Sequence, residues 1–332
     1  MASFPSTRLR RLRQSTAIRQ LVKEVRLHKN QLVYPLFIKE GISDSIPIAS
    51  MPGYKQLSLN CLKAEIEEIE ALGLKNIILF GIPALKDTHG LSACREDGIV
   101  QKAIQHIKAL SPHLLIITDL CFCQYTDHGH CGVIDSHRGI LDVDNDLTLD
   151  MLKIQAISLA KAGADIIAPS GMMDGMVGAV RQALDQEGYC HIPLLSYGVK
   201  YASSLYGPFR QATEGEYISG SRKTYQMDLS NGHEALREAA LDIQEGADIL
   251  MVKPGHTYLD ILYRIKQAFP SIPLAVYHTS GEYSMIKAAA ERGWIDEKQV
   301  VLEVMASFQR AGADIIVTYF AKNVVQWLKE ND

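Results

Sequence analysis

Several features that the 332-residue sequence lacks exclude whole classes of protein. No apolar run approaches the roughly 18 to 20 residues that a membrane span needs, and the N-terminus lacks the apolar core of a secretory signal. The formal net charge is -4, so there is no excess of positive charge to favour nucleic acid or an anionic membrane as the main partner. We therefore expect a soluble, cytoplasmic protein.

Cysteine is scarce, and disulfides are not expected. The chain has 6 cysteines, and without a secretory signal their thiols should stay reduced and able to bind a metal. The phosphate-binding fingerprints GxGxxG and GxxxxGK(S/T) are also missing from the starts of the helical segments. Their absence argues against a doubly wound, nucleotide-binding sheet.

A recurring junction organises the chain. The segments GLKNIILFG, GADIIAPSG, GADILMVKPG and GADIIVTYF begin at residues 73, 163, 246 and 312. In each, a glycine suited to the left-handed end of a helix precedes a short apolar run that is typical of a strand. The runs are continuously apolar rather than alternating, which indicates strands covered on both faces, as in a parallel sheet.

Four further apolar runs raise the number of predicted strands to eight: 32–38, 114–121, 192–200 and 272–280. Segments with helical spacing of apolar residues alternate with them, without a break in composition. This pattern predicts an α/β fold with a single (β/α)8 TIM barrel over residues 31–332, preceded by an extended N-terminal arm over residues 1–30. A doubly wound sheet is the alternative.

The N-terminal arm is basic. It has arginines at positions 8, 10, 11, 13 and 19 and no acidic residue before Glu24. An organelle transit peptide and a solvated basic tail are two interpretations of such a segment. Because it runs directly into the first predicted strand, we favour an arm that packs on another surface of the protein or on a partner subunit.

Polar side chains end or follow six of the eight predicted strands: Asp119, Ser170, Lys200, Lys253, Ser280 and Tyr319. In a (β/α)8 barrel the C-terminal ends of the strands meet at one mouth, where catalytic residues lie. Packing does not explain polar residues at so many of these positions. The sequence therefore predicts an active site at the barrel mouth.

Three cysteines and two histidines lie within eleven positions: Cys121, Cys123, His128, His130 and Cys131. Three thiolates suit a borderline-soft ion such as zinc and disfavour magnesium or calcium. Structural zinc sites usually have four protein ligands, so three cysteines at a barrel mouth would leave a position open for water or substrate, as in a catalytic site. A closed site completed by a histidine, and ordinary buried thiols, are the alternatives.

Lysines end two neighbouring strands, Lys200 in LLSYGVK and Lys253 in ILMVK. Burial and a second nearby cation both disfavour the ammonium form, so the pKa of such a lysine falls and its neutral amine can attack a carbonyl carbon. This placement predicts Schiff-base chemistry. The alternative is that each lysine extends to the rim and pairs with a carboxylate.

A long polar segment, residues 207–232, separates those two strands and contains Arg210, Arg222 and Gln226. Long loops in compact domains are commonly functional, and the guanidinium fork grips carboxylates. The segment is therefore predicted to hold an acidic substrate. A solvated surface loop is the alternative.

Motifs along nearly the whole chain resemble those of the porphobilinogen synthases, also called 5-aminolevulinate dehydratases. The most specific are DLCFCQYTDHGHCGVI and LMVKPG, and YGVKYASSLYGPFR, RKTYQMD, YHTSGEYSMIKAA and TYFA follow the same family pattern. The resemblance implies a lyase that condenses two molecules of 5-aminolevulinate to porphobilinogen, with loss of two waters, in tetrapyrrole (haem) biosynthesis.

The resemblance also implies roles for the predicted site. Lys253 would form a Schiff base with the substrate that supplies the propionate side, and Lys200 would hold the second substrate. Asp119 would accept a proton or orient groups beside the metal. The other expected substrate contacts are Arg210, Arg222 and Gln226 for the carboxylate of the second substrate, Ser280 and Tyr319 for that of the first, and Ser170.

Cofactors and assembly follow from the same resemblance. Cys121, Cys123 and Cys131 match the zinc-dependent branch, and Glu238 matches a position that binds an allosteric magnesium in some members. The arm would wrap a neighbouring subunit of a homo-octamer. Neither nucleic acid nor a membrane is expected as a partner.

The sequence departs from the family pattern at three places. Ser221 stands where an aspartate is common before Arg222, His256-Thr257 stands where a residue followed by proline is usual, and Thr279 replaces a usual valine. The first predicts weaker anchoring of the arginine and the second a looser turn. None removes a catalytic group, so we expect tuning differences rather than loss of activity.

Two rival functions remain. A lysine-dependent aldolase on the same fold would need no zinc triad. A zinc-stabilised scaffold without turnover would need the metal for thermal stability, but neither lysine would react with a carbonyl compound.

Overall fold

Eight parallel strands form the centre of the computed structural model, which describes residues 3–135, 142–215 and 220–330. In chain order the strands are β1 (Leu32–Lys39), β2 (Asn76–Ile82), β3 (Leu115–Leu120), β4 (Ile166–Pro169), β5 (Leu195–Lys200), β6 (Ile249–Lys253), β7 (Leu274–His278) and β8 (Ile315–Thr318). Each coincides with a predicted strand. Almost all of their residues are buried, which confirms that both faces of the sheet are covered.

The strands close into a barrel. β1 pairs with β2 and β8, and the pairing continues in chain order to β4 on one side and to β5 on the other. Those last two strands meet through a parallel bridge between Ile167 and Leu194, where the Ile167 amide donates to the Pro193 carbonyl over 3.2 Å. The predicted (β/α)8 barrel is confirmed. The doubly wound alternative is wrong, because an open sheet would leave β4 and β5 apart.

Helices connect the strands and cover the barrel. The α-helices are α1 (Thr16–Leu21), α2 (Leu62–Leu72), α3 (Ile99–Leu110), α4 (Asn145–Ala162), α5 (Met176–Gln186), α6 (Gly207–Ala212), α7 (Glu234–Glu245), α8 (Leu259–Ala268), α9 (Ser280–Glu291), α10 (Glu297–Ala311) and α11 (Ala321–Lys329). Within the described ranges, no helix is both long and apolar enough to cross a membrane.

Short elements occupy the connections. The 3-10 helices are Leu9–Arg13, Lys29–Gln31, Leu59–Cys61, Leu91–Cys94, Ser204–Tyr206, Arg222–Thr224 and His256–Tyr258. Two pairs of short antiparallel strands lie in the connections, Ile46–Pro47 with Lys55–Leu57 and Ile134–Asp135 with Asp142–Val143. Lys55–Leu57 also pairs in parallel with β1 of the barrel. The second pair follows the cysteine-rich segment and lies in the connection from β3 to α4.

The recurring glycine-alanine-aspartate junction has a structural reason at its first residue. Gly163, Gly246 and Gly312 end α4, α7 and α10 with φ values of 104°, 106° and 113°. The backbone of residues that carry a side chain rarely adopts this left-handed conformation. Glycine adopts it readily, so it ends the helix and turns the chain into the next strand.

The aspartate of the same junction fixes strand register. Its carboxylate accepts a hydrogen bond from a backbone amide at the start of the neighbouring strand in three repeats: Asp165 from Ile116 (2.7 Å), Asp248 from Leu194 (2.8 Å) and Asp314 from Leu274 (2.8 Å). These contacts lie at the N-terminal rim of the barrel. The opposite rim, where the strands end, is therefore left for the polar residues of the site.

The segment before β1 exposes apolar side chains. Ser15 caps the start of α1, and its hydroxyl accepts from the Ile18 amide over 3.2 Å. Phe4, Leu9 and Leu21 are 73%, 70% and 79% exposed. Exposed apolar surface of this kind is typical of a segment that another surface covers. The boundary at residue 30 and the role of the arm stay predictions, and residues 1–2 lie outside the described chain.

Candidate active site

The two strand-end lysines lie side by side. β5 and β6 pair so that Lys200 and Lys253, the last residue of each strand, are opposite one another. Both side chains are buried. In the part of the chain that the structure describes, neither forms an ion pair with a carboxylate. The rim-exposed, paired arrangement considered from the sequence is therefore not what the structure has.

Aromatic rings surround the amine of Lys253. Its Nζ lies 4.0 Å from the ring centre of Tyr277, 5.1 Å from that of Tyr197, 5.2 Å from that of Phe209 and 5.4 Å from that of Tyr206. Burial among these rings, together with the charge of the neighbouring strand-end lysine, lowers the pKa of Lys253 to about 7. An amine with this pKa is substantially neutral, and hence nucleophilic, at neutral pH.

The reactivity of Lys253 should therefore rise through neutral pH. Because its charged form is disfavoured, the neutral fraction increases from about one tenth at pH 6 to about nine tenths at pH 8. Competitive labelling with acetic anhydride, followed by peptide mapping, measures this change. Modification of Lys253 is expected to rise roughly ninefold between pH 6 and pH 8, after correction for the reactivity of the reagent itself at each pH. A lysine with the ordinary pKa near 10.4 would still be gaining reactivity at pH 9, and that profile at Lys253 would contradict its assignment as the activated amine.

Asp119 and Ser170 lie against the lysine pair. The Lys200 ammonium donates to the Ser170 carbonyl, and the Asp119 carboxylate accepts from the Gln124 side-chain amide over 2.9 Å. Burial raises the pKa of Asp119, while the Gln124 hydrogen bond and the positive charges of Lys200 and Lys253 oppose that rise. A buried carboxylate that senses both lysines is suited to exchange protons with them.

The three cysteines converge as the zinc hypothesis requires. The Sγ atoms of Cys121, Cys123 and Cys131 lie within 4.8 Å of one another, with 3.5 Å between the first two. Sulfurs bound to a tetrahedral zinc at about 2.3 Å would lie roughly 3.8 Å apart, so the triad fits that ion after small side-chain movements. Among the described residues, this is the one group of His, Cys, Asp and Glu ligands close enough to share a metal.

Local hydrogen bonds fold the cysteine segment back on itself and occupy the histidines. His128 accepts from the His130 amide at Nδ1 and contacts the Thr88 carbonyl through Nε2 (3.0 Å), so both its ring nitrogens are engaged. The Thr126 hydroxyl donates to the His130 carbonyl over 2.9 Å. Both ring nitrogens of His128 therefore already have hydrogen-bond partners in the chain, which favours three cysteine ligands over a closed site completed by this histidine; the open coordination position stays a prediction.

Electrostatics favour a thiolate at one of the three sulfurs, Cys131, whereas hydrogen bonds with the other two thiols, and then burial, raise the pKa of Cys121. Hydrogen bonds from the thiols of Cys121 and Cys123, followed by the charges of Arg222 and Lys200, lower the pKa of Cys131 well below its usual range. Thiolate is the form that binds metal. The triad and the lysine pair are thus electrostatically connected parts of one mouth.

The segment after β5 brings Arg222 to the cysteine loop. Arg222 is buried and donates to the Gly129 carbonyl over 2.6 Å. Arg210, on α6, is half-buried. Gln226 is buried beside β5, since the amide of Met227 donates to the Lys200 carbonyl over 3.2 Å. Residues 216–219 of this segment lie outside the described chain.

Ser280 and Tyr319 lie on the next two strand ends. The Ser280 hydroxyl, at the start of α9, accepts from the Phe209 amide over 2.9 Å and so contacts the segment that carries Arg210. The Tyr319 hydroxyl lies 3.1 Å from that of Tyr277, whose ring is the one nearest the Lys253 amine. The polar residues predicted at six strand ends are thus brought to one mouth.

Glu238 lies away from that mouth. It is half-buried on α7 and lines a cavity of about 360 Å³ together with Asp174, Glu234 and Gln226. Burial, followed by the charges of Asp174 and Glu234, raises the pKa of its carboxyl. The negative charge of these neighbouring carboxylates would suit a hard cation such as magnesium. No three carboxylates of the described cavity lie close enough together to share a metal ion, so magnesium at Glu238 stays a prediction.

Two of the departures from the family pattern act as helix caps. The Ser221 hydroxyl accepts from the Lys223 amide over 3.2 Å and caps the 3-10 helix that begins at Arg222, as an aspartate would. Thr279 caps α9, and its hydroxyl bonds the Glu282 carboxylate over 2.7 Å. Ser221 therefore keeps a hydrogen-bonded cap beside a predicted substrate contact, and Thr279 adds a side-chain hydrogen bond that valine could not form.

Sequence reasoning missed several residues of the site. The rings around Lys253 were not identified, because aromatic residues in strands are ordinary core residues. Gln124 gave no signal beyond lying in the cysteine segment. Glu282 could have been noticed from the T-x-x-E spacing that starts at Thr279, a capping-box pattern.

Comparisons with known proteins agree over nearly the whole chain. Residues 6–327 match the family model of Delta-aminolevulinic acid dehydratase. The delta-aminolevulinic acid dehydratase of Halalkalibacterium halodurans is 55% identical over 323 residues, covering 97% of each chain. That of Synechocystis sp. is 51% identical over 327 residues, covering 98% of this chain and 100% of the relative.

A solved structure gives the same result for the backbone. Delta-aminolevulinic acid dehydratase (porphobilinogen synthase) from Toxoplasma gondii ME49, in complex with the reaction product porphobilinogen, aligns with a TM-score of 0.95 at 46% sequence identity. The alignment covers 98% of this chain and 92% of that one. The range matched by the family model, residues 6–327, includes every strand end described above.

Proposed function

The chain belongs to the Delta-aminolevulinic acid dehydratase family, and on this premise we propose that it condenses two molecules of 5-aminolevulinate to porphobilinogen, with loss of two waters, in tetrapyrrole biosynthesis. One observation carries the proposal. Two buried lysines, which form no ion pair with a carboxylate among the described residues, share one barrel mouth with three converging thiols. The solved relative that holds porphobilinogen has the same barrel.

Lys253 is the proposed nucleophile. Its neutral amine attacks the ketone carbon of the first substrate, and both amine protons leave with the carbonyl oxygen as water, which gives an imine. The pKa of about 7 supports this role. The surrounding aromatic rings would limit the access of water that could hydrolyse the imine. Lys200 would hold the second substrate, and its charge helps to keep Lys253 neutral.

The carboxylates of the two substrates would bind on opposite sides of the lysine pair. Ser280 and Tyr319 are proposed for the first substrate, because their hydroxyls follow β7 and β8 beside Lys253. Arg210, Arg222 and Gln226 are proposed for the second. Burial of Arg222 supports a strong contact, since a charge-assisted hydrogen bond is worth more where water is excluded.

Replacing Arg222 by alanine should chiefly weaken substrate binding. Loss of a charge-assisted contact of about 1.5–3 kcal/mol predicts that the apparent KM for 5-aminolevulinate rises roughly 10- to 100-fold, with a smaller change in kcat. Lys223→Ala, on the same turn but with an exposed side chain, is the matched control and should leave KM near the wild-type value. An unchanged KM in Arg222→Ala would contradict carboxylate capture by this residue.

Zinc is the proposed resident metal, held by Cys121, Cys123 and Cys131. When bound with an open position, it supplies a Lewis acid that can polarise a substrate group or lower the pKa of water. The chain's own residues would manage protons beside it. Asp119, positioned by Gln124, would accept and return the protons that imine chemistry releases. Ser170, whose carbonyl accepts from the Lys200 ammonium, would complete the wall of the substrate pocket.

We further propose a homo-octamer, an allosteric magnesium at Glu238 and a cytoplasmic location. The exposed apolar side chains of the arm, Phe4, Leu9 and Leu21, support its packing on a neighbouring subunit. The acidic neighbours of Glu238 support a cation there. Analytical ultracentrifugation with and without magnesium tests the assembly and its response to that ion. A monomer under every condition would refute the homo-octamer.

The experiment that tests the function is pyrrole formation from 5-aminolevulinate by the purified protein. The expected result is one porphobilinogen for two substrates consumed. A lysine-dependent aldolase would consume carbonyl substrates without forming a pyrrole or responding to chelation. A zinc-stabilised scaffold would form none and would lose only thermal stability without metal. No pyrrole with zinc present would reject the proposed function.

A further inference from the structure

One fully buried carboxylate lies outside the residues assigned to the reaction. Glu282, in the first turn of α9, has no exposed surface, and in the described chain it has no ion pair with a lysine or arginine. Isolated buried carboxylates are strongly disfavoured unless hydrogen-bond donors compensate for lost solvation. The role of Glu282 can therefore be inferred from the groups that donate hydrogen bonds to its carboxylate.

One carboxylate oxygen of Glu282 accepts hydrogen bonds from the residue that caps its own helix. This oxygen, Oε2, accepts from the Thr279 amide over 2.5 Å and from the Thr279 hydroxyl over 2.7 Å. This is an ordinary capping box, in which the third residue of a helix bonds back to the cap residue. The next residue after the cap is Ser280, the proposed carboxylate contact. A capping role alone would explain this oxygen.

The second oxygen bonds a different part of the chain. Oε1 accepts from the backbone amide of His256, and the Gly255 amide also donates to the carboxylate. These amides belong to the turn that leaves β6 directly after Lys253 and Pro254. A capping box needs no such contact, and the separation of 26 residues shows that it joins two elements of the barrel.

Each of the two segments packs closely against a third element of the protein. A side-chain carbon added at Gly255 would lie 2.8 Å from the ring of Phe308, and one added at Gly281 would lie 2.5 Å from the Leu205 carbonyl. Backbone packing therefore presses each segment against a neighbour. Between the two segments themselves, the Glu282 carboxylate supplies the polar connection.

We propose that Glu282 is a positioning residue that sets Lys253 at a fixed distance from Ser280. The proposal rests on the proposed function: a single 5-aminolevulinate would be held by an imine at one end and by its carboxylate at the other. The two ends come from different strands, so their separation depends on a contact between the β6 turn and the start of α9. Displacements near 1 Å at a reacting group can lower rates about 100-fold.

The test compares two substitutions at this position with a matched buried control. Glu282→Gln keeps the shape of the side chain, but a glutamine amide has only one oxygen that can accept a hydrogen bond. The backbone amides of one of the two segments would therefore face the NH2 group, which is a donor, and would lose their acceptor. Glu282→Asp keeps the charge but is one methylene shorter. The control is Asp242→Asn, a buried carboxylate on α7 that accepts from the Ser196 hydroxyl near the start of β5 and bonds neither the β6 turn nor the start of α9 in the described chain.

Activity is measured per folded protein, with the folded fraction of each sample taken from circular dichroism. Glu282→Gln is expected to lower kcat/KM at least about 30-fold, with KM raised and with less Lys253 trapped by borohydride at saturating substrate. Glu282→Asp should recover part of the loss. Asp242→Asn should lower thermal stability while keeping wild-type kcat/KM and trapping.

The outcomes separate this inference from the proposed function. Wild-type kcat/KM and trapping in folded Glu282→Gln would overturn it, because a purely structural role affects only the melting temperature. Failure of both Glu282 variants to yield any folded protein would also overturn it. Absence of pyrrole from the wild-type enzyme and from Asp242→Asn alike would reject the proposed function instead.

Discussion

Replacing Lys253 by methionine is expected to reduce pyrrole formation to the background level, a loss of at least about 10⁴-fold in kcat. Methionine has a similar length and suits the aromatic surroundings of Tyr277 and Tyr197, so the pocket should keep its shape. Only the amine is removed. Among the described residues the one other buried lysine is Lys200, whose amine donates to the Ser170 carbonyl and is assigned to the second substrate, so it is not expected to replace the nucleophile.

Lys266→Met is the matched control for this substitution. Lys266 lies on α8, the helix that follows Lys253 in the chain, but pairs with Asp314 over 2.7 Å at the N-terminal end of the barrel. Its loss should reduce stability somewhat and leave kcat near the wild-type value. Near-normal turnover by Lys253→Met would sink the Schiff-base assignment, whatever the control shows.

Removing zinc is expected to have the second large effect. Chelation should lower kcat/KM at least roughly 100-fold, because the proposed open metal site beside the lysines would contribute several kcal/mol to the reaction. Adding zinc back should restore activity, whereas magnesium should not, since thiolates are poor ligands for a hard cation. The measurement is pyrrole formation before chelation, after it, and after each metal is added.

Two cysteine substitutions locate the effect. Cys131→Ser removes one sulfur of the triad and should abolish both stoichiometric zinc binding and activity. Cys94→Ser alters a half-buried thiol outside the triad and should change neither. If activity is indifferent to chelation, the cysteines have a structural role and the metal step is wrong. If only the melting temperature falls, the scaffold interpretation applies to the metal.

The fold was largely predictable because its signals are local. Each barrel strand is a continuous apolar run, and Gly163, Gly246 and Gly312 end helices at a conformation that glycine favours. What the sequence did not show is the second function of those junctions. The aspartates two residues later bond amides of strands that lie 40 or more residues away, and no local pattern specifies that partner.

The candidate site was predictable only in part, for the same reason. Lys200 and Lys253 end apolar strands, which is unusual for a lysine, so position alone identified them. The low pKa of Lys253 depends on rings contributed by Phe209 and Tyr277, from separate elements. The contacts of Glu282 likewise join two strand ends. Such assemblies exist only once the barrel has closed.

Trapping the imine tests most directly whether Lys253 forms a Schiff base with the substrate. The purified enzyme is incubated with isotopically labelled 5-aminolevulinate, reduced with borohydride and digested, and the labelled peptide is identified by mass spectrometry. We expect label on the peptide that contains Lys253, near one equivalent per active site, and none in Lys253→Met. Label confined to other lysines, or no label in an enzyme that still forms pyrrole, would contradict the claim that Lys253 is the nucleophile.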